Sequence, residues 1–167
     1  MTDITIREEY TPGVIGGLTT LHATYDGTRW DLGPTFEAEI ADGLAEFVAR
    51  YDPDIDGLWT VSAGDETVNG GIVIDSRRAD TDGAQLRYFV LDPALHGRGL
   101  GRELIERAMA FCRRHDYDRV FLWTVDELAA AIHLYESVGF EATDEIDLHT
   151  GWRTDVPYRL FEYDRSA

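Results

Sequence analysis

A strand-like run that ends in Asp92-Pro93 is followed within a few residues by glycine at every second position, Gly97, Gly99 and Gly101, and then by a helix-like segment. The stretch reads YFVLDPALHGRGLGRELIERA. Proline cannot donate to a sheet ladder, so the strand must stop there. Glycine weakens a helix, so alternate glycines at a helix start need a reason in the backbone. A helix that carries the chain back to a second strand makes a right-handed β-α-β unit, and its two strands must be parallel. This one feature rules out an all-α or a purely antiparallel fold.

The remaining pattern fits around that unit. Asp3–Glu9 alternates as a short strand, and after Pro12-Gly13 the segment 14–25 reads as a glycine-weakened helix. Residues 25–34 read as a loop carrying an exposed Trp30. Phe36, Ile40, Leu44 and Phe47 share one helical face. Strands at 58–63 and 67–75 form a hairpin across Gly64-Asp65-Glu66, and a polar loop, 75–83, leads to the strand 84–92. The helix from about 100 to 115 puts Leu104, Ala108, Phe111 and Cys112 on one face. A buried-type strand at 118–125 and a helix at 127–138 follow, with Gly139 as a left-handed cap. Two last strands, 141–148 and 156–163, flank HTGWRTDVP. The order β-α-α-β-β-β-α-β-α-β-β predicts a mixed α/β sheet in one domain covering residues 1–167.

Composition narrows the partners. Acidic residues number 32 and basic residues 15, for a formal net charge of −17, and every basic residue is arginine. Such a chain repels nucleic acid. The field favours a cationic substrate, but a diffuse acidic surface without lysine resembles proteins of salt-loving organisms. There it is screened within roughly 3 Å at 1 M salt. No apolar run approaches the ~18 residues that cross a bilayer. The N-terminal MTDITIREEY lacks a basic region followed by an apolar stretch, so no signal peptide is expected. The single cysteine, Cys112, reads as core, and no Cys/His spacing suggests a metal. The expected setting is cytoplasmic.

A strand, glycine turn and helix N-terminus together bind anions, because free N–H groups and the helix dipole both face the ligand. A P-loop needs a lysine this chain lacks, and the dinucleotide pattern needs G-x-G-x-x-G spacing. HGRGLG instead resembles the Q/R-x-x-G-x-G/A loop of the GCN5-related N-acetyltransferases (GNAT). AAIHLYESVGF, about thirty residues on, resembles that family's A-x-x-LYE-x-x-GF helix.

The resemblance implies a GNAT fold, mixed and mostly antiparallel with a central β-α-β unit that binds acetyl-CoA, and transfer of its acetyl group to a primary amine acceptor by direct attack. It implies that the segment His96, Gly97, Arg98, Gly99, Leu100, Gly101 and Arg102 cradles the pyrophosphate. Phe89, Val90 and Leu91 would pair with the pantetheine arm where a bulge splays the strand. Tyr135 would protonate the departing thiolate, and homodimers are frequent in the family. Three departures stand out. His96 replaces glutamine or arginine, no asparagine follows the strand at Val125-Asp126-Glu127, and the strand 84–92 has no glutamate base. Asp126, Glu127, His149 or a water chain are the candidates for the base. His22, His115 and His133 read as solvated or capping, and a domain that binds coenzyme A without catalysing transfer is the alternative.

Overall fold

The computed structural model describes residues 3–147 and 157–166. In chain order these form β1 (Ile4–Glu8), α1 (Val14–His22), α2 (Gly33–Ala49), β2 (Gly57–Ala63), β3 (Val68–Asp75) and β4 (Ala84–Leu91). There follow α3 (Leu100–Arg114), β5 (Arg119–Val125), α4 (Ala129–Ser137), β6 (Glu141–Asp147) and β7 (Tyr158–Asp164). The sheet order is β1-β2-β3-β4-β5-β7-β6, with β4 and β5 parallel and every other pair antiparallel. The mixed sheet and the crossover helix are those the glycine stretch demands.

Strands β2 and β3 are buried almost throughout because helices cover both of their faces. Alternation sends Trp59, Val61, Ile72 and Ile74 towards Leu104, Ile105 and Met109 of α3. The opposite face sends Leu58 and Val73 towards Val14 of α1 and Phe47 of α2. Gly17 answers for the weak look of α1. A Cβ there would lie 2.6 Å from the Val68 side chain, so only glycine lets the helix lie this close to β3. Among the described residues no helix is long and apolar enough to cross a membrane.

The region read as a loop after Tyr25 is helical instead. The helix α1 runs on through a π-helical turn at Ala23–Gly27, and Trp30 is half-buried against Leu32, Phe36 and Val125. An extra residue per turn hides such a segment from a search for 3.6-residue periodicity.

Candidate active site

The sheet opens where β4 leaves β5. The two strands pair at Ala84–Val120 and Gln85–Phe121 and no further. On its other side, β4 gains a residue against β3 between Arg87 and Val90, and Tyr88 takes a left-handed φ of 54°. That bulge bends β4 away from β5, as the resemblance implied. The gap is a cleft of about 1000 Å³ lined by both strands, the glycine turn, α4 and the end of α1.

Phe89, Val90 and Leu91 all line this cleft. Asp92 donates its N–H to the Asn69 carbonyl on β3, so alternation turns the Leu91 carbonyl the other way, into the gap. His96 Nε2 lies 3.0 Å from that oxygen. A carbonyl only accepts, so Nε2 carries the hydrogen. The ring also meets Tyr25 edge-on at 5.8 Å. His96 therefore ties the glycine turn back to the end of β4.

The glycines divide into two kinds. Gly97 and Gly99 have φ of 80° and 76°, and a Cβ on either would meet no protein atom within 4 Å. Their bare faces border open space, as a cradle for a bulky anion requires. Gly101 is helical, and its missing Cβ leaves room for Leu134 and Phe89. Gly99 caps α3 with no side-chain partner, so the first N–H groups of the helix, at Leu100 to Arg102, are unsatisfied within it. Arg98 is exposed and outside the cleft lining, while Arg102 turns to Ser137 and Glu106.

Tyr135 projects from α4 into the cleft, with its ring centre 6.0 Å from Phe89 and 6.3 Å from Phe161. It is 5% exposed. Burial, helped by the negative charge of Asp26, pushes its hydroxyl pKa well above the usual phenol range. Asp126 is spent on structure, because Arg159 grips both of its oxygens at 2.9 Å and lowers its pKa. Glu127 and His133 line the cleft, and His149 lies outside the described residues.

One histidine needs correction. His22 is buried at the cleft wall, with Nδ1 3.1 Å from Asp26 Oδ2. The pairing is i,i+4, and it would have been visible had the helix been continued past Tyr25. His115 caps the end of α3, as expected, with Nδ1 2.9 Å from the Phe111 carbonyl, while its ring stacks on Phe111 at 3.9 Å and Nε2 reaches the Asp54 carbonyl in the turn before β2. Cys112 is core, as expected, and burial pushes its thiol up to about 12.

A parallel β-α-β unit with a bare-backbone helix start, beside a bulged strand that parts from its neighbour, defines an acyl-carrier cleft of the acyltransferase type. The chain belongs to the Acetyltransferase (GNAT) family, whose model matches residues 21–140. It is 33% identical over 106 residues, 63% of this chain, to an uncharacterized N-acetyltransferase of Escherichia coli. The match spans 64% of that relative and 38% and 29% of two further curated relatives. The fold is similar to an acetyltransferase of Streptococcus agalactiae, with TM-score 0.74, 25% identity, and 96% and 98% of the two chains covered. A GNAT family acetyltransferase of Elizabethkingia anophelis, determined with acetyl-CoA bound, superposes with TM-score 0.63 at 14% identity over 96% and 97% of the chains.

Proposed function

We propose that this chain is a single-domain N-acetyltransferase that moves an acetyl group from acetyl-CoA to a primary amine within a ternary complex. The observation that carries this is convergence: the glycine cradle, the free edge of β4 and Tyr135 face one cleft. Acetyl-CoA supplies the acetyl group as a thioester. The N–H groups from Gly97 to Arg102 hold its pyrophosphate, and the cleft-facing edge of Phe89, Val90 and Leu91 aligns its arm. Tyr135 keeps its proton through the working range because burial raises its pKa, and donates it to the departing sulfur. A cytoplasmic setting goes with this reading, since acetyl-CoA is an intracellular metabolite.

The test is acetyl transfer over a panel of amines in high salt, beside a binding isotherm for acetyl-CoA. Transfer that depends on Tyr135 supports the reading. Tight binding with no transfer to any amine would leave a coenzyme A-binding domain.

A further inference from the structure

The half of the cleft away from the glycine turn has a composition of its own. Trp30, Phe36, Ile40, Leu128 and Tyr158 line it, and with Leu32 and Val125 they form a separate apolar cluster. Arg29 stacks over Trp30 at 5.1 Å on the exposed rim. Arg87 is engaged by Asp75, and Glu127 is exposed at the approach to α4. Asp26 differs from these. Its side chain is 22% exposed and belongs to the cleft wall, at the end of α1.

Asp26 is held in place from behind. A carboxylate only accepts, so the hydrogen in the 3.1 Å contact sits on His22 Nδ1. The His22 side chain is 9% exposed and its ring lies 6.1 Å from that of Tyr88, the residue at the β4 bulge. Its Nε2 is buried with no partner among the described residues. A buried imidazole with one orphaned nitrogen packs worse than leucine. Its return is a fixed carboxylate on the cleft wall. Burial first, and then the negative charge of Asp26, raise the pKa values of buried Tyr135 and half-buried Tyr158. A cation is the electrostatic complement of such a group, and the apolar walls exclude a body with further charges.

We propose that the acceptor is a monoamine on an apolar or aromatic body, whose ammonium docks on Asp26 while its body lies against Trp30, Phe36, Ile40, Leu128 and Tyr158. The inference rests on the acetyl-transfer reading and supplies its substrate class. Asp26 is then a specificity-determining residue and His22 the group that positions it. The chemistry balances. The docked ammonium releases a proton to solvent, and its nitrogen lone pair forms the C–N bond to the thioester carbonyl carbon. The C–S bond breaks with its electron pair on sulfur, which takes a proton from Tyr135. The second amine proton, lost as the amide forms, restores the tyrosine. Amine cation and thioester thus give amide, thiol and one proton.

The experiment compares phenethylamine and hexylamine with spermidine and phenylalanine as acceptors at saturating acetyl-CoA, for the wild type and Asp26→Asn. Calorimetric binding of phenethylamine to the protein loaded with coenzyme A gives a second readout. The apolar monoamines should lead in kcat/KM. Asp26→Asn should raise the KM and Kd for phenethylamine by about tenfold or more, the worth of one hydrogen bond to a charge. The acetyl-CoA Kd should hold, which a simple structural defect would not spare. Ile40→Glu, at a half-buried wall position, should move preference towards spermidine, and it tests the same wall if Asp26→Asn does not fold. Preference of the wild type for spermidine or phenylalanine, or an unchanged phenethylamine KM in Asp26→Asn, overturns the proposal while leaving acetyl transfer intact. No binding of acetyl-CoA overturns both.

Discussion

Tyr135 sits among aromatic rings at a depth that keeps it protonated, and that has a measurable sign. Its folded pKa is raised, so the proton stays on through the range in which an amine acceptor loses its own. The kcat/KM should therefore climb as pH rises towards the amine pKa, with no descending limb from this residue below about pH 10, the ordinary phenol value. A pH-rate profile that falls earlier, and loses that fall in Tyr135→Phe, would refute the raised pKa. The same variant should lower kcat by roughly 10²- to 10⁴-fold, the usual worth of a positioned general acid, with the acetyl-CoA Kd nearly unchanged. Gly97 and Gly99 make a second case. Alanine at either meets no clash but must hold a left-handed φ, which costs about 1–2 kcal/mol. Melting of Gly97→Ala and Gly99→Ala should drop accordingly, and acetyl-CoA titration should show weaker binding as a Cβ enters the cradle.

Among elements, the join of α2, β3 and β4 turns on one buried carboxylate. Asp75 is 2% exposed and accepts from Arg50 Nη2 at 2.7 Å, Arg87 Nη1 at 2.9 Å and the Arg77 N–H at 3.0 Å. Burial alone would raise its pKa, yet these donors outweigh burial and hold it below the usual carboxylate range. A depressed folded value means its stabilisation is present above the unfolded pKa of about 3.9 and is lost as pH falls through the folded value. Asp75→Asn should cost roughly 3–5 kcal/mol in denaturant melts at neutral pH, since two guanidinium groups lose their partner. The gap from wild type should narrow in acid.

None of this network was legible in the sequence, because Arg50 and Asp75 meet across 25 positions with no shared period. The crossover, by contrast, could be read directly. Asp92-Pro93 stops a strand, the glycines start a helix, and Leu104, Ala108 and Phe111 keep an unbroken 3.6-residue rhythm. The acceptor wall fell between these cases. Its anchor, His22 with Asp26, spans a π-helical turn that breaks the rhythm and so passes for a loop. The bulge was expected from the family resemblance, but its left-handed residue is Tyr88, and tyrosine in a run of strand formers gives no local sign of positive φ.

Over the whole molecule, a net charge of −17 on 167 residues sets the surroundings in which the fold holds together. Like charges repel more strongly in the compact state than in the open chain, and salt relieves this. The melting temperature should rise from about 0.05 M to 1 M potassium chloride, as the screening length shortens to roughly 3 Å. A flat or falling curve by differential scanning calorimetry would count against a charge-limited fold.

The parting of β4 from β5 also bears on how the sheet breathes. Among the described residues, backbone pairing bridges its two parts, β1 to β4 and β5 with β7 and β6, at Ala84–Val120 and Gln85–Phe121 alone. Beyond that short seam the amide of Leu91 is turned towards the gap, as its carbonyl is. In the unloaded protein it should exchange its hydrogen with solvent quickly for a residue so near the core. An occupant laid along β4 would act as an extra strand and close the seam. Deuterium uptake at this amide would then slow on loading, and the whole sheet would gain the stability that mass action confers on a state that binds.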